Sequence, residues 1–193
     1  MEKGIYTAID TALIYGSGGS KVPLGLNNNL LAAYTKSMTG TPTFQSFYKD
    51  ILGVLKAIRN RSGNTDISTD DIVLIGSSNV ELGMESFMTD QGLVPFASIA
   101  NGKFGRYNFI ESNVVKSNLG GGTATEMFFM DVSNLVVGRS KEKTLTVVNG
   151  SITIDGSVIS LQDRRQVGYV MSEVMDFGWM RDDTSGKLDS IIL

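Results

Sequence analysis

The chain of 193 residues contains no cysteine and no histidine. These two absences exclude disulfide bonds, thiolate nucleophiles, zinc sites built from cysteine and histidine, and every catalytic triad that uses histidine. An enzyme with this sequence would depend on carboxylates, lysine, tyrosine or a bound cofactor. The sequence also lacks any apolar run that approaches the length of a membrane span, so we expect no membrane partner.

Charge of one sign is not in large excess either. The chain carries 17 basic and 20 acidic side chains, for a net charge of -3. This balance argues against a dedicated surface that grips DNA or RNA, although it allows a local basic patch. Hydrophobic residues at 41% and charged residues at 19% are typical of a globular protein. The length allows one domain, or one domain with two lobes.

The longest regular pattern lies between Val158 and Arg181. From Val167 onward, bulky side chains alternate with small or polar ones, which predicts one half-buried strand of about 15 residues, on the order of 50 Å long. Glu173 interrupts the bulky face, so we expect it to pair with a basic residue of a neighbouring element or subunit. Together with Arg164 and Arg165 it forms our set of candidate subunit contacts. For an isolated chain, the alternative is simple solvent-exposed charge.

The first half of the chain predicts short helices around one apolar strand. The predicted elements are a helix that ends at Gly16, irregular surface from there to Leu30, a helix that begins at Thr41-Pro42-Thr43 and ends near Gly63, a strand at Ile72–Ile75, a capping box at Ser78–Glu81 that opens a helix to about Phe87, and a glycine-rich surface loop from Gly92 to Gly105.

The second half predicts strands. They are expected at Tyr107–Ile110 and Glu126–Val132, followed by a turn at Ser133–Leu135. Asn149-Gly150 predicts a hairpin that joins 143–148 to 151–154. Residues 182–187 predict a polar turn before an apolar tail.

Three short patterns invite a chemical interpretation, and each has a simpler one. The loop from Gly16 to Lys21 lacks the spacing of a phosphate-binding loop. Ser46 and Lys49 have Ser-x-x-Lys spacing but none of the motifs that accompany it in enzymes, which favours a solvated helix face. The acidic turn at 182–185 lacks the spacing of a calcium loop. We therefore predict no catalytic, cofactor-binding or metal-binding residues.

The order of the segments carries more information than any one of them. The segments are YGSGGSKVPLGLNNN, TPTFQSFYKDILGVLKAIRNR, DDIVLIGSSNVELGM, GRYNFIESNVV, TEMFFMDVSNLVVGRSKEKTLTVV and VGYVMSEVMDFGWMRDD. In this order they resemble the C-terminal two-thirds of the major capsid protein of tailed bacteriophages, the Hong Kong 97-type fold. The most specific match is FFMDVSNLVVGRSKEKTLTV, where that family places an Asp-x-Ser turn before a strand.

The resemblance implies an α+β subunit with an axial lobe and a peripheral lobe of long strands. It implies that residues 1–15 end the spine helix, 16–134 form the axial lobe, 135–177 form the peripheral strands and 178–193 return to the axial lobe. The family's N-terminal arm and extended loop are expected to be absent from this chain.

The resemblance also implies a structural subunit of an icosahedral phage or prophage capsid, without catalysis or cofactors. The implied partners are copies of itself in pentamers and hexamers, scaffold, protease and portal proteins, and packaged DNA held without sequence preference. The implied location is the virion, after synthesis in the cytoplasm of a bacterial host. The alternatives are the shell of an encapsulin-like compartment, a carboxylate- or metal-dependent enzyme with a deep acidic pocket, and a surface-binding β-module with clustered exposed aromatic residues.

Overall fold

The computed structural model describes residues 2–19, 22–38, 42–60, 68, 70–87, 94–120, 122–154 and 157–192. The described helices are α1 (Glu2–Tyr15), α2 (Leu26–Asn29), α3 (Phe44–Arg59) and α4 (Ser78–Ser86). The described strands are β1 (Thr35–Ser37), β2 (Ile72–Gly76), β3 (Lys103–Phe104), β4 (Tyr107–Glu111), β5 (Thr125–Asp131), β6 (Leu135–Val148), β7 (Ser151–Ile154), β8 (Ser157–Ser160), β9 (Gly168–Trp179) and β10 (Ser185–Ile191). The chain is therefore α+β, as predicted.

A mixed sheet of six strands forms the body of the protein, in the order β1-β10-β5-β2-β4-β3. Strand β5 lies between β2 and β10 and runs antiparallel to both. All of its residues are buried, which explains the apolar run Met127–Met130 at its centre. The predicted strands at 72–75, 107–110 and 126–132 correspond to β2, β4 and β5 and are confirmed.

Helices cover both faces of this sheet. Side chains of α3 and α4 pack with Leu74 and Phe129 in one cluster. Side chains of α1 and α2 pack with Ile75 and Phe128 in another. Alternate residues of β2 and β5 thus point to opposite layers, as the pleat of a strand requires. The predicted helix before Gly16 is confirmed as α1.

Helix α3 confirms the predicted amphipathic helix, although it begins later. Its N-cap is Thr43, so Pro42 precedes the helix rather than lying in its first turn. The Thr43 hydroxyl accepts a hydrogen bond from the backbone N–H of Ser46 at 3.2 Å, and the Ser46 hydroxyl accepts one from the N–H of Thr43 at 2.9 Å. This capping box satisfies two N–H groups that the helix leaves unpaired. Ser46 and Lys49 are both exposed, as expected of a solvated helix face.

Helix α4 confirms the predicted helix but not its predicted cap. The N-cap is Ser77 rather than Ser78, and its side chain makes no capping hydrogen bond. Instead, the buried Ser77 hydroxyl lies 2.9 Å from the hydroxyl of Thr125 on β5. The capping box predicted at 78–81 is wrong because the serine at the helix start bonds to the sheet.

Two segments predicted as irregular surface contribute buried side chains. Between Gly16 and Leu30 the chain forms α2, and Leu26 is fully buried. In the predicted loop from Gly92 to Gly105, of which 94–105 are described, Phe96 and Ile99 are buried and β3 forms at the end. Both predictions were wrong about the burial of these side chains, and for the same reason. Isolated apolar residues in a polar stretch have no periodicity, yet they can still turn inward.

Strand β10 occupies the place of the predicted polar turn. Only 182–184 form a bend, and Ser185 begins a strand that pairs with β1 on one side and β5 on the other. The sequence SGKLDSI has few residues that favour strands. Gly186 is needed at this point because a Cβ there would lie 2.5 Å from Cγ1 of Val54 on α3.

The predicted hairpin at Asn149-Gly150 is also wrong. Strand β6 pairs with the distant β9, and β7 pairs with β8. The local turn signal therefore marks a junction between two sheets rather than a hairpin within one. Pairing over the full length of β6 offers more hydrogen bonds than the four residues of β7 could supply.

Candidate assembly surface

Strands β6 and β9 form a two-stranded antiparallel ribbon, named here the long ribbon. Strand β9 contains 12 residues and spans roughly 40 Å at about 3.3 Å per residue. Strand β9 thus confirms the predicted long strand. It begins at Gly168, after the separate strand β8 and a turn. The predicted burial of its bulky face is confirmed only near the end of the strand, where Phe177 is buried, and is wrong at the start, where Val167 and Tyr169 are 52% and 54% exposed. In the described part of the chain, β9 has a strand partner only on its β6 side.

One end of the long ribbon is attached to the body of the protein. The indole N–H of Trp179 donates a hydrogen bond of 2.8 Å to the carbonyl of Leu24, and Phe177 is buried. The backbone N–H of Met180 donates to the carbonyl of Asn134 at 3.0 Å. These contacts fix the direction in which the ribbon leaves the sheet.

A compact polar turn connects β5 to β6 at this attached end. The carboxylate of Asp131 accepts hydrogen bonds from the hydroxyl of Ser133 at 2.6 Å, from its backbone N–H at 3.1 Å and from the side-chain amide of Asn134 at 2.7 Å. Both Asp131 and Asn134 are buried. This is the Asp-x-Ser turn of the sequence, and its hydrogen bonds set the angle between sheet and ribbon.

The other half of the long ribbon exposes apolar side chains. The register places Leu145 opposite Met171 and Val147 opposite Tyr169, so these four positions share one face. Leu145, Val147 and Tyr169 are each more than half exposed. The two strands of such a ribbon also have unpaired outer edges, which can accept another strand. An exposed apolar patch of this kind is typical of a protein interaction surface.

The predicted contact residues lie in β9 and in the turn that precedes it. Arg164 and Arg165 are exposed in the turn before β9, and Arg165 has a positive φ of 52°. Glu173 belongs to β9, but its side chain lies outside the described part of the structure. From Gly168 to Glu173 the strand covers roughly 17 Å, so the arginines and Glu173 are not neighbours along the strand. Their role in subunit contact stays a prediction.

A buried ionic network, which sequence reasoning missed, connects several elements of the body. The Nζ of Lys187 on β10 lies 2.5 Å from Oε2 of Glu126 on β5, and their side chains are only 15% and 2% exposed. The hydroxyl of Tyr15, the last residue of α1, donates a short hydrogen bond to Oε1 of Glu126. Lys187 also donates to Asn27 of α2 at 3.1 Å. Helix α1 and strands β5 and β10 thus meet at one carboxylate, and α2 is connected to it through Lys187.

The environment of this network raises the pKa of Tyr15 far above its ordinary value. Burial is the main cause, and the hydrogen bond to Glu126 adds to it. A signal for the network was present in the sequence, because Glu126 directly precedes the apolar run Met127–Met130, and a buried carboxylate requires a partner. The partner was missed because Lys187 was assigned to a turn.

Within the described residues, no group of three or more acidic side chains is arranged to hold a metal ion. Among the helices of the described ranges, none combines the length and apolar content needed to cross a membrane.

Comparison with known proteins identifies the fold. No protein-family model matches the chain, and no curated protein matches it. Solved structures do match. A chain from Mycobacterium phage Bobi superposes on 96% of this chain with a TM-score of 0.67 and 16% identity. The capsid of an empty GTA particle superposes on 98% with a TM-score of 0.69 and 11% identity. The chain has the tailed-phage capsid fold.

The capsid fold is not confined to phage particles. The holo-SrpI encapsulin complex from Synechococcus elongatus PCC 7942 superposes on 99% of this chain with a TM-score of 0.57 and 13% identity. The chain spans 61% to 63% of the length of the chains in these three structures. The resemblance inferred from the order of the sequence segments is confirmed at the level of the fold.

Proposed function

We propose that this protein is a structural subunit of an icosahedral capsid of a phage or prophage. Copies associate into pentamers and hexamers, and these tile into a shell that encloses DNA. The subunit performs no catalysis and needs no cofactor. The capsid fold supports this function, and the apolar outer half of the long ribbon is the observation that carries it.

The long ribbon should be more stable in an assembly than in an isolated subunit. A single two-stranded ribbon is marginally stable in water, and this one exposes Leu145, Val147 and Tyr169 on one face. A neighbouring copy that covers this face would remove the apolar surface from water and could pair with an open strand edge. Many such contacts of modest strength are what a closed, symmetric shell requires.

The same proposal assigns a role to each part of the chain. Residues 16–134 with 178–193 form the lobe around the capsomer axis, residues 135–177 form the peripheral lobe, and residues 1–15 end the spine helix. Arg164, Arg165 and Glu173 contact neighbouring subunits.

Scaffold, protease and portal proteins act during assembly in the cytoplasm of a bacterial host, and the packaged DNA touches the inner surface of the virion without sequence preference.

A second candidate function is the shell of an encapsulin-like compartment. The likeness to the encapsulin structure, which covers nearly the whole chain, favours it. The higher TM-scores of the phage and GTA structures favour the capsid. The two functions differ in the contents of the particle, which are nucleic acid in one case and a folded cargo protein in the other.

Assembly of the purified protein tests the proposal. We expect sedimentation velocity to show rings or closed particles as the concentration rises, with matching objects in electron micrographs. Tyr169→Ser should weaken this assembly, whereas its thermal unfolding midpoint should stay close to that of the parent because the side chain is already more than half exposed. A protein that stays monomeric at every concentration would contradict the proposal.

A further inference from the structure

An aromatic groove opens on the body of the protein. It has a volume of about 460 Å³ and lies between α3 and the segment that leads into β4. The rings of Phe96 and Phe104 form its floor, with centroids 5.3 Å apart, and Tyr48 packs against Phe104 at 6.0 Å. Arg106 lines the groove and lies over the ring of Tyr107 at 5.9 Å.

The groove arises because α3 carries two apolar stripes rather than one. The first stripe, which includes Phe47 and Ile51, is fully buried in the core. The second consists of Phe44, Tyr48 and Leu52, which recur every fourth residue and therefore lie along one side of the helix. Tyr48 and Leu52 are each 41% exposed. A helix that only covers the sheet needs one apolar stripe, so the exposed part of the second stripe is apolar surface that a partner could cover.

A complementary surface exists elsewhere on the same chain. Leu82 on α4 is 62% exposed and lies between Glu81 and Glu85, which are one helical turn apart. Partial burial raises the pKa of Glu81, and the nearby charges of Glu111 and Glu85 raise it further. Among the described residues, these three carboxylates form no ion pair. An apolar side chain flanked by uncompensated acids fits an apolar groove with an arginine at its rim.

The two surfaces cannot meet within one copy. Arg106 immediately precedes β4, whereas Glu111 ends that strand, so they lie at opposite ends of an element roughly 13 Å long. Two different patches at opposite ends produce a head-to-tail contact between identical chains. Such a contact generates a ring when the rotation between copies closes.

We propose that the aromatic groove of one copy receives Leu82 of a second copy of this chain, with Arg106 facing the acids of α4. This inference rests on the proposed assembly and names one of its contacts. The partner is therefore the same protein, and the contact runs in one direction around a ring.

The absence of cysteine from the chain permits a clean cross-linking test. Leu52→Cys and Leu82→Cys are prepared as two separate proteins, mixed under assembly conditions and treated with a short bis-maleimide. We expect a product that joins one chain of each kind, and no dimer of either variant alone. The matched control pairs Leu52→Cys with Leu145→Cys, a site on the ribbon that is 58% exposed, and should give no product.

A charge exchange tests the same contact without cross-linking. Arg106→Glu should weaken association by roughly tenfold or more, because like charges would then face each other. Glu85→Arg in the same chain should restore part of the loss. Particles that form while Leu52 and Leu82 fail to cross-link, or a Leu52→Cys protein that cross-links to itself, would overturn the inference and leave the proposed function standing. A parent protein that never assembles would overturn both.

Discussion

Removal of Lys187 should expose how strongly the buried network stabilises the body. Lys187→Met keeps much of the side-chain volume but deletes the cation that faces Glu126, which is only 2% exposed. Breaking a buried ion pair by removing one partner typically costs about 3–5 kcal/mol, because the remaining charge is buried without compensation. Tyr15 would still donate its hydrogen bond to the carboxylate, so we expect a loss near the lower end, about 3 kcal/mol.

Urea denaturation followed by circular dichroism would measure this loss. With an m-value of about 2–3 kcal/mol/M, the midpoint should fall by about 1 M or more. The surface pair of Lys36 and Asp50 provides the matched control, since Lys36 is 45% exposed. Lys36→Met should cost less than about 1 kcal/mol. Equal losses for Lys36→Met and Lys187→Met would refute the argument from burial.

The addition of Glu126→Gln to Lys187→Met separates the buried charge from the lost packing. The double variant has no uncompensated carboxylate, so we expect it to recover most of the stability of the parent. If the double variant were as unstable as Lys187→Met alone, the loss would come from packing around the lysine stem.

Other consequences of the structure can be tested by single substitutions. Gly186→Ala should destabilise the protein by about 2 kcal/mol or more through overpacking. Gly53→Ala should stabilise α3 by up to about 1 kcal/mol, because the new Cβ would meet only Lys36 Nζ at 3.7 Å. Thermal unfolding of the two variants compares these effects. The parent should lose stability relative to Tyr15→Phe as the pH rises above about 10, the ordinary tyrosine pKa, because the raised pKa keeps the phenol protonated only in the folded state; pH-independent differences in urea midpoints would contradict this. Asp131→Ala should lower the free energy of unfolding by about 2 kcal/mol or more because buried donors lose their acceptor. A loss below about 0.5 kcal/mol would contradict the role of the turn.

Local patterns predicted most helices and strands correctly. The apolar stripe of α3, the buried run of β5 and the alternation of β9 each identify an element from its own residues. The order of the segments also led to the correct fold, even though each segment is weak evidence by itself. For the assembly surface, the sequence indicated the long strand but not which of its residues would be exposed.

What the sequence alone could not determine is the set of contacts between distant segments. Strand β10 forms because β1 and β5 offer hydrogen bonds on both sides, although SGKLDSI has little preference for a strand. The pairing of β6 with β9 overrides the local turn signal at Asn149-Gly150. Glu126 finds Lys187 only when those strands are adjacent. In each case the decisive free energy comes from a partner far along the chain. Composition, charge and local pattern therefore determine most of the elements, whereas the tertiary structure decides the formation of β10 and the pairing and exposure of the strands.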